Sequence, residues 1–240
     1  MLARDIRAAA VRLTFVIRLI LASQSPARLE TLRSAGIAPI VRISGVDEDA
    51  ELARLVSDNH GEHPSAAAVA LTLARAKAEA VAATVTTSAL VLGCDSLLDL
   101  DGEIHGKPSD AAEAVERWRR MRGRSGILHS GHWLIDARVV ADDGNGHAVG
   151  ATASTVVHFA DLTDDEITAY VATGEPLHVA GAFTIDGLGG PFISGIEGDH
   201  HAVVGLSLPL LRGLLGDLGL TVMDLWRVPS GARRGGDDTE

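Results

Sequence analysis

Four short segments of the 240-residue chain carry the residue types that phosphate chemistry needs. The first, Leu21-Ala22-Ser23-Gln24-Ser25-Pro26-Ala27-Arg28, reads as a strand-to-helix turn with free amide donors, two hydroxyls and a cation. A helix N-terminus carries partial positive charge and unsatisfied N–H groups, which suits an anion; the plainer reading is a helix start with Ser25 as cap and Pro26 in the first turn. The local charge favours the anion, because residues 1–36 hold six Arg against only Asp5 and Glu30. The second is Lys77, in an Ala-rich stretch. At 100° per residue it falls at about 80° from Val69, on the edge of a stripe formed by Val69, Leu73, Ala76 and Ala80. A lysine there either snorkels to water or reaches a buried cleft.

The third segment, Val91-Leu92-Gly93-Cys94-Asp95-Ser96, ends an apolar run on a carboxylate, and an unpaired charge in that place is costly. Asp101-Gly102 is a two-residue hairpin signal that sets Leu100 opposite Glu103 and Ser96 opposite Lys107. That register brings Asp95 near Lys107, either as a structural ion pair or as part of a site. The fourth, Asp47-Glu48-Asp49, follows an apolar run and is either a solvated acidic loop or a Mg²⁺ site completed by substrate phosphates and water. Asp186 lies in a glycine-dense segment and either faces the site or serves a turn. His60, His63, His200 and His201 lack the spacing of a zinc helix and read as loop or surface residues. Cys94 has no base beside it and reads as a small buried hydrophobe.

These residues need elements to hold them. Residues 15–21 read as a buried strand, and the helix begun at Pro26 stops at Gly36. A second strand over 40–46 leads to the acidic segment and then to a polar stretch over 57–64. Residues 65–83 read as a long helix and 89–93 as a short strand. Asp110 caps a helix that ends near Gly123, Thr163 caps another that stops at Gly174, and long strands over 127–140 and 150–159 lie between them. Residues 181–205 are glycine-dense, and 209–218 read as a leucine-rich helix. The hairpins imply antiparallel pairs, so the class is α/β with a mixed sheet flanked by helices. Residues 1–14 read as an N-terminal extension, 15–228 as the working domain and 229–240 as a polar, disordered tail.

Composition narrows the function. Lys and Arg number 21 against 32 Asp and Glu, a net charge of −11, and only 3% of residues are aromatic, which speaks against a nucleic-acid partner. With 46% hydrophobic residues the core must come from Ala, Val, Leu and Ile. No stretch approaches the roughly 20 apolar residues of a membrane span. Arg4, Arg7 and Arg12 ahead of residues 15–22 could be taken for a secretory signal, but Arg18 interrupts the run. A single cysteine excludes an intrachain disulfide and fits the reducing cytoplasm.

In order and at compatible spacings over about residues 17–216, the chain resembles the Maf family of nucleoside triphosphate pyrophosphatases. The matching segments are Leu21-Ala-Ser-Gln-Ser-Pro-Ala-Arg28, Val46-Asp-Glu48, Leu73-Ala-Arg-Ala-Lys77-Ala, Gly93-Cys-Asp95-Ser96, Gly106-Lys107-Pro108, Tyr170-Val-Ala-Thr-Gly-Glu-Pro176, Ala180-Gly-Ala-Phe183, Asp186-Gly-Leu-Gly-Gly190 and His201-Ala-Val-Val-Gly-Leu206. The resemblance implies an elongated mixed sheet in two lobes with a deep cleft, similar to inosine triphosphate pyrophosphatases. It implies hydrolysis of a nucleoside triphosphate between the α and β phosphates with a divalent cation, Mg²⁺ or Mn²⁺. By position Asp95 matches the proton acceptor, Glu48 with Asp95 the metal ligands, and Ser23, Ser25, Arg28, Lys77 and Lys107 the phosphate-binding set.

The resemblance also implies a house-cleaning role toward noncanonical or surplus nucleotides, and a homodimer. A non-catalytic role in septum formation and cell division is the alternative attached to the family. Ala27, Ser96 and Asp186 stand where dTTP/UTP-type members carry arginine, threonine and glutamine, which leaves the base preference open. His178-Val179 replaces an Asp-Lys pair and removes one cation from the expected site.

Overall fold

The computed structural model describes residues 16–58 and 63–226. The extension read over 1–14, the tail read over 229–240 and His60 lie outside the described residues. The elements are β1 (Leu19–Leu21), α1 (Pro26–Ser34), β2 (Ile40–Val41), α2 (Glu48–Asp58), α3 (Ala66–Ala82), β3 (Leu90–Leu100), β4 (Glu103–His105) and α4 (Ala111–Met121). They continue as β5 (Ser125–Asp136), β6 (Ala148–Phe159), α5 (Asp164–Ala172), β7 (Ile193–Glu197), α6 (His200–Val204) and α7 (Leu208–Asp217). Seven strands form one sheet in the order β2-β1-β3-β5-β6-β7, with β4 on β3. β1 runs parallel to β2 and β3, and every other pair is antiparallel, so the sheet is mixed as read from the hairpins.

Local signals set several boundaries. The Ser25 hydroxyl accepts from the Arg28 amide to cap α1, and Gly36, at φ +79°, ends it. Asp110 caps α4, and Thr163 with Glu166 closes a reciprocal capping box on α5. Asp101-Gly102 forms the expected hairpin with Leu100 opposite Glu103.

Other boundaries differ from the sequence reading. The second strand stops at Val41, because its partner β1 is only three residues long and turns away after Leu21. Glu48 therefore opens a helix that periodicity did not reveal. β3 runs on to Leu100 past Asp95, Ser96 and Asp99, polar residues that broke the apolar signal but still pair with β5. β5 ends at Asp136, whose buried carboxylate turns back to take a bidentate pair from Arg138 at 2.8 and 2.9 Å. Glycines hid β7 and α6 within residues 181–205.

The long strands run through two apolar clusters. One gathers Leu21, Leu32, Leu92, Leu214 and Leu215 beneath α1 and α7. The other gathers Leu98, Trp118, Phe159, Tyr170 and Phe183 beneath α4 and α5. Asp95 and Ser96 lie on β3 between Leu92 of the first and Leu98 of the second, so the polar centre occupies the join between the two packed ends.

Candidate functional site

Small residues bring the central lysine to its partner. A Cβ on Gly93 would lie 2.1 Å from the Ala74 carbonyl oxygen, and one on Gly131 would lie 2.3 Å from that of Ala70. Neither side chain exists, so the Ala-rich face of α3 settles directly on β3 and β5. The buried residues of α3 are Ala66, Val69, Ala70, Leu73, Ala74, Ala78 and Val81, which puts Lys77 in the middle of the buried face rather than at its edge. The snorkelling alternative is thereby corrected: Lys77 reaches inward.

Its ammonium joins two carboxylates. Lys77 Nζ lies 2.5 Å from Asp95 Oδ1 and 2.7 Å from Glu48 Oε1, with Asp95 buried and Glu48 half exposed on the first turn of α2. Asp95 thus finds its counter-charge on α3 and not at Lys107. Burial pushes the Asp95 carboxyl above the usual carboxylate range, against the opposing pull of Lys77 and then Arg28. The expected register holds from Leu100–Glu103 to Leu98–His105, but the β3–β4 ladder stops there, short of Lys107, and Ser96 pairs with Ser130 of β5 on the other edge. Lys107 is exposed and has no ion pair among the described residues, but its turn is pinned. The Gly106 carbonyl accepts from Arg117 Nη1 at 2.6 Å and from the Gly181 amide at 3.0 Å, and Ser109 donates to Glu113 from both its amide and its hydroxyl.

The sheet topology opens the site. On one edge β3 pairs with β1 as far as Leu92 and with β4 from Leu98 onward, so among the described residues Gly93–Leu97 have no strand partner on that edge. Asp95 faces α3 on one side of the sheet. Ser96 faces the opposite side, toward α1. There Arg28 donates to the Gly205 carbonyl at 2.9 Å, the Cys94 carbonyl at 2.8 Å, Ser23 Oγ at 3.1 Å and Ser96 Oγ at 3.0 Å. Ser96 passes its own proton to Ser130, 2.8 Å away, and Ser130 donates to the Ala202 carbonyl. Four of the five guanidinium N–H groups are spent on described residues, so Arg28 ties the Ser23–Ser25 turn to the edge of β3, and among the described residues its fifth donor has no partner.

Ala27 and Asp186 border one cavity of about 260 Å³ between α1 and α6, together with Glu30, Ser34, His200 and His201. Ser96 is absent from that lining and is engaged with Arg28 instead. His63, His200 and His201 are exposed, as read from the sequence. Cys94 is fully buried, and burial pushes its thiol up to about 12, which fits the reading of an inert hydrophobe.

Sequence reasoning missed three supporting groups. His132 is wholly buried, donates from Nδ1 to the Ser130 carbonyl and accepts the Ser207 amide on Nε2, and burial holds it neutral by lowering it to about 4. Arg117 secures the Lys107 turn. Ser130 completes the relay from Arg28. Their signal was a polar residue inside an apolar strand or helix face, which has meaning only once its long-range partner is placed.

Among the described residues no group of three or more His, Cys, Asp and Glu gathers as a metal cluster. Two carboxylates do converge where a cation already sits, the ammonium of Lys77, and that hard-oxygen pair fits a Mg²⁺ or Mn²⁺ that takes its remaining ligands from phosphate and water.

The model of the Maf-like protein family matches residues 18–218. A protein of Streptomyces coelicolor named nucleoside triphosphate pyrophosphatase is 59% identical, covering 87% of this chain and 94% of its own length. One of the same name from Salinispora tropica is 55% identical over 88% of each. A solved nucleoside-triphosphatase / dITP/XTP pyrophosphatase from Mycobacterium abscessus covers 84% of this chain and 95% of its own at 14% identity and a TM-score of 0.33, a likeness too slight to bear on the site. With the family's pattern matched along most of its length and relatives this similar, the chain belongs to the Maf family.

Proposed function

We propose that this chain hydrolyses nucleoside triphosphates between the α and β phosphates, releasing a nucleoside monophosphate and pyrophosphate. The observation that carries the reading is the buried Asp95 carboxylate paired with the Lys77 ammonium, which also holds Glu48, at the open stretch of β3, in a family whose relatives bear that enzymatic name. Those names do not favour the non-catalytic alternative in septum formation.

Asp95 accepts the proton of the attacking water, and its burial makes it a stronger base than a solvated aspartate. Ser23, Ser25 and the Ala27 amide in the first turn of α1 receive phosphate oxygens, Arg28 adds its remaining N–H, and Lys107 approaches on its pinned turn. Lys77 keeps the two carboxylates together and offsets negative charge as the triphosphate arrives. Glu48 and Asp95 are the residues that would hold a divalent cation, Mg²⁺ or Mn²⁺, which would supply charge neutralisation and a more acidic water. Ala27, Ser96 and Asp186 discriminate the base, Ala27 and Asp186 from the cavity wall and Ser96 through its hold on Arg28. The role is clearance of noncanonical or surplus nucleotides in the cytoplasm by a homodimer, without nucleic-acid or membrane partners; no described helix is long and apolar enough to cross a membrane.

The test is pyrophosphate release from a panel of canonical and modified nucleoside triphosphates with Mg²⁺ or Mn²⁺. Selective turnover by the wild type, reduced about 10²- to 10⁴-fold in Asp95→Asn, is the expected result. Folded wild type that releases no pyrophosphate from any member with either metal overturns the reading.

A further inference from the structure

The glycine-rich segment that carries Asp186 is folded around a single carboxylate. Glu175 Oε1 accepts from the Tyr170 hydroxyl at 2.9 Å, from the Gly189 amide at 3.0 Å and from the Thr184 hydroxyl, while Oε2 accepts the Leu188 amide at 3.0 Å. The peg is rooted in the core. Tyr170 is 3% exposed and lies edge-on to Trp118, with ring centroids 5.5 Å apart. Its phenol oxygen also accepts the Thr184 amide at 3.3 Å.

The glycines of this segment are explained by the same peg. A Cβ on Gly187 would come within 2.5 Å of Glu175 Oε2, and one on Gly189 within 2.4 Å of the Tyr170 hydroxyl. Only a backbone without side chains can wrap the carboxylate and the phenol this closely. Burial opposes the charge on Glu175, but the donors from Thr184, Leu188, Tyr170 and Gly189 outweigh it and hold the carboxyl below its ordinary range.

Asp186 immediately precedes Gly187, is exposed, and borders the cavity that Ala27 of α1 also lines. We infer that Glu175 is a positioning residue for base discrimination: by fixing the turn over residues 184–189 it sets Asp186 as the cavity wall that meets the nucleobase. An ionised carboxylate only accepts hydrogen bonds, so Asp186 in that place favours bases that present N–H donors on the edge facing it. This inference rests on the pyrophosphatase reading above. Among the described residues the Glu175 carboxylate bonds to Tyr170, Thr184, Leu188 and Gly189 and not to Asp95 or to the residues assigned to the phosphates, so its removal acts on substrate choice rather than on the chemical step.

The experiment measures kcat and KM separately for the nucleoside triphosphate panel with wild type, Asp186→Asn, Glu175→Gln and Glu175→Ala. Glu175→Ala is expected to raise KM for the best substrate about 10-fold with little change in kcat, and to shrink the kcat/KM ratio between best and worst base about 10-fold, in the same sense as Asp186→Asn. Glu175→Gln keeps an oxygen for three donors but turns an amide toward the Leu188 N–H, and should fall between. If the alanine variant does not fold, the glutamine variant decides by the same ratio. Wild-type base ratios in a folded Glu175 variant, or in Asp186→Asn, overturn the inference alone. A wild type that turns over nothing overturns the functional reading, and the inference with it.

Discussion

Asp95 and Lys77 form a charge pair whose titration reports on the chemistry. Burial raises the carboxyl above 3.8 while Lys77 pulls it back down. A general base works only when deprotonated, so kcat/KM should rise with pH along an acid limb set by Asp95 and lie flat above it. Lys77→Met keeps the apolar stem and removes the ammonium, which leaves desolvation less opposed and raises the carboxyl further. The acid limb of kcat/KM should therefore move to higher pH, by about one unit for each 1.4 kcal/mol of lost attraction, along with a fall in the plateau. A pH–rate profile at fixed free Mg²⁺ checks this, and a limb that stays in place in the variant would separate Lys77 from the base. The sequence indicated that Asp95 needs a cation but pointed to Lys107. The choice between the two lysines turns on where α3 docks, and helical periodicity, which took Val69, Leu73, Ala76 and Ala80 for the buried stripe, does not carry that information.

At the scale of elements, the docking of α3 depends on what β3 and β5 lack. The 2.1 Å approach that a Gly93 Cβ would make to the Ala74 carbonyl meets backbone, which cannot swing aside as a side-chain tip would. Gly93→Ala should therefore push α3 off the sheet, lower stability by about 1–3 kcal/mol or more and pull Lys77 from Asp95, so that activity falls with it. Gly213 lies in α7 with open space around its Cα, and Gly213→Ala should add about 0.5–1 kcal/mol through helix propensity alone. Urea unfolding of both variants, with turnover assayed in parallel, reads the two effects; equal midpoints would refute the close-packing account. Elements fixed by neighbouring residues were legible beforehand: the Ser25-Pro26 start of α1, the Asp101-Gly102 hairpin, the Thr163 box. Elements fixed by distant partners were not. β2 is cut short by the length of β1, β3 is prolonged by β5, and α2, β7 and α6 follow from pairing and packing that leave no period in the chain.

For the whole molecule, the site sits at the join of two apolar clusters because β1 is short and leaves the middle of β3 open, and β1 is kept in place by the far end of the chain. The Ile17 amide donates to the Asp224 carbonyl at 2.8 Å, Ile37 bridges to Trp226, and the Trp226 indole stands 3.3 Å from where a Cβ on Gly36 would be. Leu225 is 2% exposed within the cluster of Leu21, Leu32 and Ile37. The family pattern ends at residue 218, so this last segment lies beyond what the family model matches and yet buttresses the strand that feeds the Ser23–Ser25 turn. Ending the chain after Leu218 should expose that cluster. Losing the Leu225 side chain alone is worth about 2 kcal/mol or more, equivalent to a fall of roughly 4–8 °C in Tm. Ending it after Val228, the limit of the domain read from the sequence, should leave Tm unchanged. Thermal melts of the two shortened proteins beside the full chain decide the matter: if both melt with the full chain, residues 219–226 only rest on the fold, and if only the shorter one drops and its KM for triphosphate rises, the distant end of the chain sets the phosphate turn through β1.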